Sequence, residues 1–345
     1  MKTILITGGA GFIGTNVAKR FLDEGYHVIA FDNLSRRGVQ DNLKWLEKNY
    51  QDKFKFIWGD LRNNEDFYPL YSLATDVVFI VHAGAQPGIP YSFDNPRYDV
   101  NVNSIGTLNV LEFARTHGKI PTAFMSTNKV YADRINELPL KKSDKRYIVD
   151  LPNYNGNDEN GVLDAGGDGY SHSVYGVNKI FGDQLYQEYF AAFDIPTVVN
   201  RCSCITGLHA FGVSEQGWVS FMVREIFRPN PHFPVFGDGY QVRDVLDGRD
   251  LAELFYQEFI QLEKCKGKVF NIGGGSANTI SLLEAIDFIE SKTGRKFQLS
   301  FHNWRRADHK YYCSSIERAK KILNWSPAIS IEQTLNDMIN ETQNV

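Results

Sequence analysis

Residues 5–14, LITGGAGFIG, constrain this chain more than any other segment. A β-branched run ends in Gly8, Gly9, Gly11 and Gly14, and a helix-compatible stretch, FIGTNVAKRFLDEG, begins at once. Glycines in this pattern permit a tight turn, close approach of backbone to a pyrophosphate, and packing of helix on strand. The start of the helix then offers oriented N–H donors and partial positive charge to the phosphates. A second run, HVIAFDN, puts Asp32 eighteen residues beyond Gly14, where a carboxylate accepts hydrogen bonds from an adenosine ribose. A carboxylate there repels a 2′-phosphate, so the expected cofactor is NAD rather than NADP. Arg36 and Arg37, close behind, are the feature that would suit a phosphate instead.

The same alternation continues. TILIT, HVIAFD, FKFIWGD, DVVFIVHA, TAFMST and IPTVVNR alternate with longer amphipathic stretches, such as residues 97–117 with Ile105, Leu108 and Leu111 at helical spacing. Near-continuous apolar runs mark parallel strands covered on both faces. The expected fold is a doubly wound α/β Rossmann domain over residues 1–203. Beyond it the rhythm changes to Pro- and Gly-containing loops (RPNPHFPVFGDG), with helices expected near 216–228 and 280–292. Residues 204–240 and 273–345 are therefore expected to form a smaller α/β substrate lobe, with 241–272 returning to the first domain. The stretch 152–170 is rich in Gly, Asn and Asp and aperiodic, which predicts a loop; it lacks the glutamate-terminated spacing of a calcium site.

A chain of 345 residues, 43% apolar and 23% charged, is large enough for a full core and two lobes. Its longest apolar runs are too short to span a bilayer, and the N-terminus shows no cleavage-site pattern, so a cytoplasmic protein is expected. The net charge of −4 argues against nucleic acid as a partner. Cys202, Cys204, Cys265 and Cys313 form no CxxC pair, so neither a disulfide framework nor a metal site is expected. Cys202 and Cys204 read as two residues on one face of a strand.

Chemistry-bearing residues collect at the predicted strand ends. GDLR brings Asp60 and Leu61 to the adenine edge, and HAGAQ brings the small residues Ala83, Gly84 and Ala85 along the cofactor. In SHSVYGVNKIFGDQ, Tyr175 and Lys179 lie four apart and share a helix face. A phenol is only ~0.1% ionised at neutral pH, so a tyrosine base needs its pKa lowered by roughly two or three units. A lysine ammonium about 4 Å away contributes about 4 kcal/mol at an effective dielectric near 20. The run FMSTNKVYADR delivers Thr127 at the carboxyl edge of a strand, suited to bond the sugar hydroxyl whose proton Tyr175 removes.

These motifs, with NSIGTLNVLE, VRDVLDGRD and a C-terminal WSP, resemble the extended short-chain dehydrogenase/reductases that act on nucleotide sugars. FDNLSRRGVQDNLKWL, STNKVYAD, EQGWV and QVRDVL are most similar to a subgroup of CDP-sugar 2-epimerases. The resemblance implies tightly held NAD, a nucleoside-diphosphate sugar substrate (a CDP-sugar), and epimerisation by hydride loss and return. It implies Thr127, Tyr175 and Lys179 as the catalytic triplet. Gly8, Gly11, Phe12, Ile13, Asp32, Asn33, Asp60, Leu61 and Asn103 would line the NAD pocket, with Tyr175 and Lys179 at the nicotinamide ribose. Gln216, Trp218, Arg243 and Arg305 would hold the nucleotide. Leu34 and Arg36 complete the expected cofactor set; Gln86, Asn128, Arg201 and Val219 complete the substrate set. The family further implies a homodimer through helices near 97–117 and 173–192, or a homotetramer, and a role in surface-polysaccharide precursor synthesis.

Departures from the family pattern are RCSC in place of RYFN or RPFN, YADR without the glycine after tyrosine, and the Pro- and Gly-rich AGAQPGIPYS. Related 4,6-dehydratases carry Asp and Glu after the threonine as acid and base; this chain has Asn128 and Lys129, which disfavours dehydration. A 4-epimerase is the closer rival, because it uses the same triplet. A silent NAD-binding sensor would have no chemical need for all three residues.

Overall fold

The near-continuous apolar runs become strands covered on both faces. Along the first, Ile4 and Ile6 pack with Val17, Phe21 and Phe79 on one side, while Leu5 packs with Phe31, Ile80 and Phe113 on the other. The computed structural model describes residues 2–159 and 169–343. In chain order its strands are β1 (Thr3–Thr7), β2 (His27–Asp32), β3 (Phe54–Trp58), β4 (Val77–His82), β5 (Thr122–Thr127), the hairpin β6 (Leu140–Ser143) and β7 (Arg146–Val149), β8 (Thr197–Cys202), β9 (Cys204–Thr206), β10 (His232–Phe236), β11 (Val242–Asp247), β12 (Lys268–Ile272), β13 (Thr279–Ser281), β14 (Gln298–His302) and β15 (Tyr311–Tyr312). Seven of them form one parallel sheet in the order β12-β8-β5-β4-β1-β2-β3. The order reverses between β1 and β4, and a ligand crevice opens at the carboxyl ends of strands at such a switch point.

The smaller lobe has its own core, where Val219, Met222 and Val223 of helix Trp218–Glu225 meet Ile286 and Ile289 of helix Leu282–Thr293 and Leu335 and Met338 of helix Ile331–Gln343. Ser281 starts the middle helix with a capping box, its hydroxyl accepting from the Glu284 N–H while the Glu284 carboxylate accepts from the Ser281 N–H. Of residues 241–272, β12 edges the main sheet and helix Gly248–Ile260 contributes Leu251, Leu254 and Phe255 to its core. The strand β11 pairs instead with β9, β13 and β15 outside that sheet.

Two helical stretches frame the crevice. One runs from Pro96–Val100 through a π-helical turn, Asn101–Ile105, into Gly106–Thr116. The other, Ser173–Phe193, ends at Asp194 in the left-handed conformation. In the predicted loop 152–170, residues 160–168 lie outside the described residues, and Asn157 bridges to Ser314. The hairpin β6–β7 and the helices Glu317–Leu323 and Ile331–Gln343 add elements for which the sequence raised no expectation. Among the described residues, no helix is long and apolar enough to cross a membrane.

Candidate active site

A cleft of about 650 Å³ opens at the switch point, between the carboxyl ends of the strands and residues 203–220. Its floor is the glycine turn. Gly8 has φ +65°, and a Cβ there would stand 2.7 Å from the Gly84 Cα; a Cβ at Gly14 would stand 2.2 Å from the Gly8 carbonyl oxygen. Gly11 is the N-cap of helix Phe12–Asp23, with no side chain to occupy the space ahead of the helix. Small residues on both chain segments thus leave backbone to face a ligand, and the helix start supplies donors for its phosphates. Asp32, at the end of β2, accepts from the N–H groups of Ala10 (3.2 Å) and Leu34 (2.8 Å). Burial raises its pKa, and these backbone donors oppose the rise. Asp60, at the end of β3, is also raised by burial, but the Arg62 fork at 2.7 and 2.9 Å and Asn33 at 2.9 Å outweigh that and hold it at about 2.

The cofactor residues expected from sequence line this cleft, with two exceptions. Asn103 is buried behind it, where its amide clamps the backbone of Gln86 (N–H 3.0 Å, C=O 2.8 Å). Leu34 packs toward Ala10, Val39 and Leu43, so its backbone N–H, not its side chain, serves the site.

Thr127, Tyr175 and Lys179 meet in the same cleft. The Thr127 hydroxyl accepts from the Lys129 N–H at 3.3 Å and approaches Asn128 Oδ1 at 3.5 Å, long contacts that a substrate hydroxyl can displace. Burial raises Tyr175 above its ordinary value, while the nearby Thr127 hydroxyl and the Arg36 charge pull it down. Burial also lowers Lys179, to about 8, and its ammonium rests 4.1 Å above the Phe124 ring. Taking both groups out of water disfavours the charged form of each.

The substrate set divides. Gln86, Asn128, Gln216 and Trp218 line the cleft. Arg201 does not: it is buried, forked onto Asp183 at 2.9 and 3.0 Å, and bonded to the Tyr131 hydroxyl at 3.2 Å. A buried guanidinium requires such a partner, and Asp183 on the neighbouring helix supplies it. Val219 belongs to the core of the smaller lobe. Arg243 lies outside the lining and pairs with Asp308 at 2.7 Å; Arg305 covers the Phe236 ring at 3.9 Å and donates to the Ser214 carbonyl at 2.8 Å.

Sequence reasoning left Cys202, Ser203 and Cys204 out of the site, and named Lys129 only for not being a carboxylate, with no partner for it. Cys202, Ser203 and Cys204 line the cleft where β8 gives way to β9, with both thiols pushed up by burial. Lys129 lines it too, donating to the Ala307 carbonyl at 2.9 Å and standing 3.6 Å from Asp308. Burial lowers this lysine to about 8. No local signal could have paired it with residues so far along the chain.

A glycine turn at a helix start, a carboxylate at the end of the second strand, and Thr127, Tyr175 and Lys179 in one cleft are the arrangement expected of a dinucleotide-dependent enzyme that moves hydride and proton at a carbinol carbon. A family model, NAD dependent epimerase/dehydratase family, matches residues 4–273. The chain is 35% identical to CDP-paratose 2-epimerase of Salmonella typhi, covering 99% of each. It is 30% identical to UDP-glucuronate 4-epimerase of Thermodesulfobacterium geofontis, covering 99% of this chain and 96% of that one. The structure of dTDP-glucose 4,6-dehydratase from Bacillus anthracis in complex with NAD superposes with a TM-score of 0.77 at 25% identity, over 100% of this chain and 97% of that one. The chain belongs to the NAD-dependent epimerase/dehydratase family and is an isomerase, an NAD-dependent epimerase of nucleoside-diphosphate sugars.

Proposed function

We propose that the chain is a CDP-sugar 2-epimerase interconverting CDP-paratose and CDP-tyvelose in the cytoplasm, for surface-polysaccharide synthesis. The observation that carries this reading is Asn128 and Lys129 in the cleft beside Thr127, within a chain similar end to end to a CDP-paratose 2-epimerase. Neither side chain is a carboxylate, so the acid–base pair that dehydration requires is missing at the reacting carbon.

In this reading Thr127 accepts or donates a bond at the reacting sugar hydroxyl and orients it toward Tyr175. The phenolate oxygen of Tyr175 takes the hydroxyl proton, keeps it while the sugar is a ketone, and gives it back after inversion. Lys179 stabilises the phenolate with its ammonium. When bound, NAD supplies the acceptor and then the donor for one hydride, and its positive charge adds to that of Lys179. The glycine turn, Asp32, Asp60 and Arg36 hold the cofactor; Gln216 and Trp218 reach the nucleotide from the smaller lobe.

The test is product analysis with CDP-, UDP-, GDP- and dTDP-sugars, run in deuterated water without added NAD. The reading expects CDP-paratose and CDP-tyvelose to interconvert with no deuterium on carbon, since the hydride never exchanges with solvent. Deuterium at the inverted carbon would point to proton abstraction and sink the hydride-return mechanism. Preferential turnover of a UDP-sugar at C4 would favour the second reading, a 4-epimerase, which the likeness to UDP-glucuronate 4-epimerase supports.

A further inference from the structure

Behind the Tyr175 and Lys179 pair lies a fully buried carboxylate for which the reaction, as derived so far, has no use. Asp99 has zero solvent exposure. Its oxygens accept from two amide nitrogens rather than from a cation: Gln86 Nε2 at 2.6 Å and Asn178 Nδ2 at 2.7 Å. Asn178 sits between Tyr175 and Lys179 on helix Ser173–Phe193, and its own carbonyl oxygen is held by the Ser104 hydroxyl at 2.9 Å. Gln86 sits on the cleft-lining segment after β4, with its backbone clamped on both sides by Asn103. One carboxylate therefore joins the catalytic helix to the cofactor-side loop.

Its charge also has a destination. Burying a carboxylate without a cationic partner costs several kcal/mol. The groups acting on Lys179 in favour of its charge are Cys202, Asp99 and Asp183. Cys202 is a thiol pushed up by burial, so it carries no charge near neutrality. Asp183 is spent on the Arg201 fork. That leaves Asp99 as the uncommitted negative charge among these three.

We propose that Asp99 is a positioning residue for the proton-transfer pair: through Asn178 and Gln86 it locks the helix carrying Tyr175 and Lys179 to the loop carrying Gln86, and so keeps a buried carboxylate behind the pair. The proposal rests on the reading of Tyr175 and Lys179 as the proton-transfer pair. Tyr175 is faced by Asp99, Cys202 and Arg36 as well as by Thr127, and Lys179 by Asp99, Asp183 and Cys202. Removing the Asp99 charge makes both the phenol and the ammonium easier to deprotonate, so both limbs of the pH profile move the same way.

The test compares Asp99→Asn and Asn178→Ala with the wild type in NAD-loaded enzyme, using whichever nucleotide sugar the wild type turns over. Asp99→Asn is expected to lower kcat by about tenfold, leave KM within about twofold, and move both limbs of the kcat–pH profile to lower pH by about half a unit or more. Asn178→Ala keeps the charge and cuts the tether; it is expected to lower kcat by about fivefold with the limbs unmoved. A purely structural Asp99 would lower kcat and leave the profile in place, and that result, or wild-type kcat in either variant, overturns the proposal. Should Asp99→Asn fail to fold, Asn178→Ala decides: a fivefold lower kcat supports the proposal and wild-type kcat overturns it. Tyr175→Phe run alongside separates the two levels: if it is as active as wild type, the underlying reading fails; if it is inactive while Asp99→Asn is unaltered, only this proposal does.

Discussion

At the scale of single residues, the proposed proton-transfer pair consists of two buried groups that burial pushes toward neutrality. Tyr175 is raised and Lys179 lowered to about 8, so the pair resists the phenolate–ammonium state that proton abstraction uses. Tyr175→Phe should reduce kcat by about 10²- to 10⁴-fold while the protein still copurifies with NAD, measured by turnover and cofactor absorbance. The pH dependence follows from Lys179. Its folded value lies below the ordinary 10.5, so the ammonium is present below about 8 and lost as pH rises through it. Turnover should therefore fall above about pH 8. Lys129 has the same value, so Lys129→Met distinguishes them: the falling limb stays if Lys179 sets it and disappears if Lys129 does.

At the scale of elements, β8 shows how a strand serves two masters, a hydrogen-bonded ladder and a buried ion. Arg201 pairs with Cα partners on β5 and β12 while its guanidinium is forked onto Asp183 of helix Ser173–Phe193. Arg201→Met strands the Asp183 carboxylate and should destabilise the protein by about 3 to 5 kcal/mol, read as a lower thermal unfolding midpoint. The parallel strands were legible because apolar cover on both faces leaves unbroken hydrophobic runs, and the glycine turn because its backbone tolerates no side chain. Arg201, expected at the substrate, lies outside the cleft lining for a physical reason. A strand-end arginine reads the same whether it meets a diphosphate or a carboxylate, and only the helix opposite decides. Asn103 lies behind the cleft for a similar reason, since an amide can clamp a neighbouring backbone as well as face a cofactor. The hairpin β6–β7, four residues to a strand, buries none of its residues fully and carries too little apolar pattern to announce itself.

At the scale of the molecule, two features extend beyond one site. Val100, Ile105, Val177 and Phe181 are 39 to 55% exposed and gather on the paired helical stretches at 96–116 and 173–193. We propose that this face joins two copies; Phe181→Asp should shift sedimentation from dimer to monomer, and a wild-type monomer would refute it. The second feature is the run 207–217 of the smaller lobe, which crosses the mouth of the cofactor cleft. It is fastened at separate points: Asn16 to the Leu208 carbonyl (3.1 Å), Asn42 to the His209 carbonyl (3.2 Å), Trp45 against His209 (4.7 Å between rings), and Arg36 to Gln216 (2.8 Å). Phe211 fills the space over Gly38, where a Cβ would stand 2.1 Å from its ring. Arg36→Ala should speed the release of bound NAD, measured as cofactor lost per hour of dialysis. The consequence is one of timing. With the run fastened at Asn16, Asn42, Trp45 and Arg36, a dinucleotide beneath it leaves only when several contacts open together, so its exchange is expected to be slower than turnover.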